Sequence, residues 1–159
     1  GATSFDVPRW KANEFVYYEY NDDETPIPPG NYTVSWGNGA EMAAGEIKDL
    51  EMPMDVEMMS PALAETIELP ETGAIPFNWE PGYADHMYIV FDTFNSLVVC
   101  NVKDDGYFVV TEQTRALMQG TYYWELSMRR VNERRLELGD GSSIAVVLDS
   151  TIMTDAEVP

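Results

Sequence analysis

The chain is poor in the residues on which most enzymes and metal proteins depend. It has one cysteine, one histidine and nine basic residues among 159, and no apolar run long enough to cross a bilayer. Each scarcity excludes something. A lone Cys100 permits no intramolecular disulfide, and its setting, LVVCNV, is that of a buried strand thiol behaving as a small hydrophobe. Catalytic use of that thiol needs a base, and His86 is the single histidine. The nine bases stand against 28 acids, for a formal charge of −19. Binding to nucleic-acid phosphates or to anionic membrane surfaces draws on clustered Lys and Arg, so this balance opposes both. There is no GxSxG elbow, phosphate loop, dinucleotide fingerprint, zinc-ligand spacing or helix-turn-helix pattern. No segment reads as a signal peptide, and the polar ends GATSF and TDAEVP are in keeping with a mature or trimmed chain.

What is present is a period of two. In NYTVSW, Tyr32, Val34 and Trp36 share a face; in AIPFNWE, Ile75, Phe77 and Trp79 do; in TYYWELSMRR, Tyr122, Trp124, Leu126 and Met128 do. ETIELP and FVYYEY are further short strands. Three runs are apolar on both sides and read as central strands: Met87–Phe91, Ser96–Val102 and Ser143–Leu148. Turn chemistry separates these runs, including Asp105-Gly106 and Asp140-Gly141. One segment reads as helix, about 111–119, with Thr111 as its cap and Gly120 as its stop. Eight to ten short strands with one small helix predict an all-β fold, an antiparallel β-sandwich spanning 1–159 as a single domain. The ends 1–11 and 152–159 read as ragged, and 37–65 as irregular loops with an edge strand.

The most unusual composition is EMPMDVEMMSP, from Glu51 to Pro61. Soft donors converging on one point would hold Cu(I). The same residues alternate, however: Leu50, Met52, Met54, Val56 and Met58 on one parity, acids on the other. That pattern reads as an edge strand filled with methionine, interrupted by Pro53.

Three other constellations could carry function. Turn acids can converge on calcium, and the candidates are Asp22, Asp23 and Glu24 with Asp104 and Asp105. Solvated turn acids are the simpler reading. Loop aromatics can stack on sugar rings, and the candidates are Trp36, Trp79 and Tyr83, although Trp36 and Trp79 also fall in phase with core positions. The cluster RRVNERR, holding Arg129, Arg130, Arg134 and Arg135, reads as a solvated hairpin tip that relieves self-repulsion.

From Ile75 onward the features run IPFNW, a polar turn, MYIVF, LVVCNV, KDDGYFVV, a short helix ending at Gly120, and a strand reaching Arg129. This order resembles bacterial exported and lipoprotein β-sandwich domains of fibronectin III or immunoglobulin-like type. The resemblance implies an extracytoplasmic location (periplasmic, outer-membrane-attached or secreted), a lipid anchor upstream, and a binding or structural role. It supplies no catalytic residue. The expectation is therefore a non-enzymatic exported or cell-surface domain with a protein or glycan partner, no transmembrane segment, and no cofactor unless calcium. The first alternative is a calcium-dependent carbohydrate-binding module. The second is a carboxylate-based hydrolase, which needs two acids in a cleft with one held in an apolar setting.

Overall fold

The computed structural model describes residues 9–12, 15–18, 27–37, 44–93, 95–138 and 143–157, with side chains from residue 27 onward. Two hairpins come first: β1 (Arg9–Ala12) with β2 (Phe15–Tyr18), and β3 (Gly30–Trp36) with β4 (Gly45–Met52). The remaining elements are β5 (Met58–Ser60), β6 (Thr66–Glu68), β7 (Ile75–Trp79), β8 (His86–Thr93), β9 (Ser96–Val102), β10 (Tyr107–Val110), α1 (Glu112–Ala116), β11 (Tyr123–Glu137) and β12 (Ser143–Glu157). They form a three-stranded sheet, β10-β7-β5, and a five-stranded sheet, β6-β12-β11-β8-β9. Every pairing is antiparallel except β12 with β6, which is parallel.

One buried cluster joins these two sheets. Met58, Ile75, Phe77, Trp79 and Val110 come from the smaller sheet, and Ile67, Met87, Ile89, Phe91, Trp124, Leu126, Met128 and Ala156 from the larger. The strands supply these residues because alternate side chains of a pleat point the same way, so each apolar/polar repeat buries one face. Each large side chain taken out of water contributes about 1.5–3 kcal/mol. The helix is capped as expected, the Thr111 hydroxyl accepting from Thr114 N at 3.2 Å. It is shorter than the sequence suggests: the helix stops at Ala116 and residues 117–120 form a turn.

Several expectations change. Of the three runs apolar on both sides, only Met87–Phe91 lies between two neighbours. Ser96–Val102 ends the five-stranded sheet, with Leu97 62% and Val99 52% exposed on its outer face. Ser143–Leu148 pairs with β11 alone, in the part of the long β11–β12 ribbon that runs beyond β8 and β6. RRVNERR is not a hairpin tip but lies within β11, over its second half. The expected ragged end begins too early: β12 continues to Glu157, because Ala156 is buried in the core and Leu69 N donates to Glu157 O at 2.9 Å. At the other end, residues 9–11 belong to β1.

The methionine stretch is also not one continuous face. Asp49 has φ 55, and the register slips by one residue between Tyr32 and Val34, which makes a β-bulge that Asp tolerates better than most residues. Past Met52 the chain leaves the ladder: Pro53 is buried and Met54 faces solvent, before Val56 and Met58 return to the core. With Met58 inside and Met54 and Met59 outside, the run does not present a single set of soft donors. The β3–β4 hairpin lies against the ribbon through β4, and Asn132 Nδ2 donates to Glu51 O at 2.9 Å.

Candidate functional site

The inward parity of β11 runs through Trp124, Leu126 and Met128, and the next residue in phase is Arg130. A buried guanidinium is costly unless paired and hydrogen-bonded. Here it is both. Arg130 Nε donates to Asp104 Oδ2 at 3.0 Å, with the two side chains 1% and 0% exposed. Its Nη1 donates to the carbonyls of Met54 at 3.2 Å and Asp55 at 2.5 Å, and its Nη2 to the carbonyl of Glu80. Asp104 is equally engaged: Oδ1 accepts from Trp79 Nε1 at 2.8 Å, and Oδ2 also accepts from Ala84 N at 3.0 Å. Among the described residues no buried side-chain polar atom lacks a partner.

This knot ties together the methionine stretch, the β7–β8 loop, the β9–β10 loop and β11. It also explains why Met54 faces outward, since the carbonyls of 54 and 55 turn toward Arg130. Gly82 is required beside it: a Cβ there would fall 2.5 Å from Arg130 Cζ and 2.9 Å from Asp104 Oδ2. The next residue, Tyr83, takes φ 56, with its N–H directed at Asp104 O at 3.4 Å. Positive φ is rare for a bulky residue and costs on the order of 1–2 kcal/mol. The result is an aromatic ring held outward, 83% exposed.

Tyr83 borders an open depression of about 500 Å³ whose polar lining includes Asp85, Asn101, Lys103 and Asp105. Asp85 is anchored from the ribbon side. It accepts from Arg134 Nη1 and from Glu133 N, each at 3.1 Å, and its own N–H donates to Asn132 Oδ1 at 2.9 Å. A second hollow, sharing Asp85, is lined by His86, Glu133, Arg134 and Arg135. The arrangement offers an aromatic face, an amide, two exposed carboxylates and a cation, all above a buried, hydrogen-bonded support.

The sequence candidates fall in different places. Tyr83, Asp104 and Asp105 come together at this depression. Asp104 is not a calcium ligand, because Trp79, Arg130 and Ala84 already occupy its two oxygens. Asp105 beside it is exposed. Asp22, Asp23 and Glu24 lie outside the described residues. Trp79 is not a stacking platform, since its ring is wholly buried and its N–H is committed to Asp104. Trp36 is half-buried on β3, its ring packed over Gly45 of the paired strand, where a Cβ would meet Trp36 Cζ2 at 2.6 Å. The three aromatics therefore form no exposed row. Cys100 lies opposite Ile89 on the inner face of the larger sheet, and burial pushes its thiol up from the usual range. His86 has the opposite parity on β8, which separates it from that thiol. Among the described residues no three of His, Cys, Asp and Glu are placed to hold a metal ion.

Two features escaped sequence reasoning. One is Arg130, for which parity was the available signal: the face that carries Trp124, Leu126 and Met128 continues to it. The other is a clamp at the far end of the ribbon, where Tyr122 donates to Glu157 Oε2 at 2.7 Å and Tyr123 bonds the same carboxylate. No family model, curated protein or solved structure matches this chain.

Proposed function

We propose that this chain is a single, non-enzymatic binding domain of immunoglobulin- or fibronectin III-like layout, displayed outside the cytoplasm, whose partner-contacting patch is centred on Tyr83. The strand order supports the layout. With β7, β8, β10, β11 and β12 in the places of strands B, C, E, F and G, the sheets group B with E and C with F and G, and β9 extends the second sheet beside C. The observation that carries the binding role is Tyr83 itself. A buried, fully bonded knot holds a bulky residue at positive φ and leaves its ring in solvent. Backbone strain kept in place by its surroundings, under an exposed aromatic, belongs to a contact surface more readily than to a packing need. The polar lining suits a partner rich in hydroxyls or amides, a glycan or a protein loop.

The hydrolase alternative is disfavoured by Asp104, because the buried acid such chemistry would recruit is tied to Arg130 and Trp79. The calcium-dependent module keeps only Asp105 and the unassigned 22–24 acids, and no observation favours it.

The test is binding to a glycan panel by wild type, Tyr83→Ala and Tyr83→Gly, with calcium and with chelator. Tyr83→Gly relieves the positive φ, so its stability should hold or rise, by up to about 1 kcal/mol. Loss of a bound glycan in both variants, with melting unchanged or higher, supports the patch. A ligand indifferent to Tyr83 removes the patch from the reading. Substrate turnover abolished by a point substitution in the folded protein removes the binding-domain reading altogether.

A further inference from the structure

We infer that β9 is a self-association edge, at which a second copy of this chain adds its own β9 antiparallel and joins two five-stranded sheets into one. Four strands end the two larger sheets, and three are protected; the distal ribbon also leaves Ser143–Leu148 of β12 with β11 as its one neighbour, a shorter uncharged stretch that runs into Asp149. β5 and β6 have three residues each, β5 carries a register shift, and β6 sits between Glu65 and Pro70 with Glu68 upon it. β10 has four residues. β9 has seven, SLVVCNV, with no charge, no proline and no bulge along its pairing with β8. Natural edges of that length are normally blunted by just those devices, and their absence marks a strand that is covered.

The backbone direction follows from the hairpin. Thr93 and Ser96 are the closing pair of the β8–β9 turn, three positions apart, and Ser96 N donates to the Thr93 hydroxyl at 3.1 Å. Such a closing pair exchanges its hydrogen bonds inward, so Ser96, Val98, Cys100 and Val102 bond toward β8. Leu97, Val99 and Asn101 then carry the outward N–H and C=O groups, and their side chains share the outer face. Among the described residues only β8 pairs with this strand.

The occupant is a second copy because the edge complements itself in sequence and charge. Opposed residues of antiparallel strands must share a face, so the register centred on Val99 sets Val99 against its own copy and Leu97 against the second copy's Asn101. Lys103, just past the end of β9, has the parity of that same face. Asp92, the β8 neighbour of Leu97, lies on it at the other end. Neither takes part in an ion pair among the described residues. Antiparallel pairing brings Lys103 of each copy to the Asp92 end of the other, twice by symmetry. A chain of formal charge −19 repels its copies, and β9 itself is an acid-free strip that adds nothing to that repulsion. The opposite end of the joined sheet is the short, acidic β6, so pairing stops at two and does not propagate.

A strand-to-strand contact alone falls below the roughly 1,200 Å² of a stable interface, so the dimer is a weak one. Sedimentation equilibrium from about 1 μM to about 1 mM tests it. Wild type should dimerise in that range. Val99→Lys and Leu97→Lys, each at an exposed outward position, should raise the dissociation constant at least about tenfold with the melting temperature unchanged. Val147→Lys, an equally exposed position on the ribbon, should leave the dimer intact. A wild type that stays monomeric overturns the inference. So does a dimer that survives both β9 substitutions, or one lost through Val147→Lys instead.

Discussion

Arg129 and Arg130 are adjacent on β11 and occupy opposite worlds. Arg129 meets Asp149 at 2.9 Å on the outer face, with the two side chains 47% and 36% exposed. Arg130 meets Asp104 at 3.0 Å between the sheets, where neither is exposed to any extent that matters. The distances differ by 0.1 Å, and the consequences differ far more. In solvent, an ion pair trades one set of good interactions for another and contributes about 0–1 kcal/mol. Inside, neither charge can return to water while the fold persists. Removing one partner strands the other, at about 3–5 kcal/mol. The buried pair is also the hub of a network that reaches Trp79, Ala84 and three backbone carbonyls. The exposed arginines make local contacts in solvent, Arg134 with Asp85 and the Glu133 carbonyl, and Arg135 with the Glu133 carboxylate. Distance alone therefore does not rank these contacts; burial and connectivity do.

The sharpest way to break the comparison is Asp104→Ala. It should cost about 3–5 kcal/mol in urea unfolding, because Arg130 is left charged and enclosed. Replacing the pair together, as Arg130→Met with Asp104→Leu, should cost less than the sum of the two single changes, since no buried charge remains. A loss below about 1 kcal/mol for Asp104→Ala would place the knot with the surface pairs.

The surface side of the comparison is Arg129→Ala, Asp149→Ala and their double variant. Their coupling should be under about 1 kcal/mol and should shrink in high salt. A salt-insensitive coupling of several kcal/mol would overturn the contrast.

The smallest effect lies at the end of the ribbon. Hydrogen bonds from Tyr123 and then Tyr122 hold the Glu157 carboxyl below its ordinary range. A carboxyl depressed in the folded state adds stability above its unfolded pKa and loses it as pH falls through the folded value. The bond to Glu157 likewise raises both phenols, whose contribution is full below the ordinary phenol range and fades as pH rises through the raised values. Melting temperatures of wild type and Glu157→Gln should thus differ slightly at neutral pH and converge on acidification. Curves that diverge toward acid would reverse the assigned sign.

Much of the architecture was legible because it is local. Ser96–Val102 is a strand with the bounds its composition announces, and the alternations of Ile75–Trp79 and Trp124–Met128 face the core as written. The candidate site was half legible. Tyr83 and Asp105 stand at the depression, but Asp104 and Trp79 lie beneath it as its support.

The sequence by itself determined which segments extend and which of their faces is apolar, since the pleat sets every second side chain on one side whatever the neighbours. Only the tertiary structure decided what each face meets. Whether a two-sided apolar run lies at the centre or edge of a sheet depends on which distant strand arrives beside it, and β9 received one neighbour. Whether an arginine is a solvated charge or a structural hub depends on a carboxylate 26 residues away. Tyr83 is strained and outward because Gly82, Asp104 and Arg130 close in beneath it. These outcomes arise between segments far apart in the chain, where local periodicity carries no information.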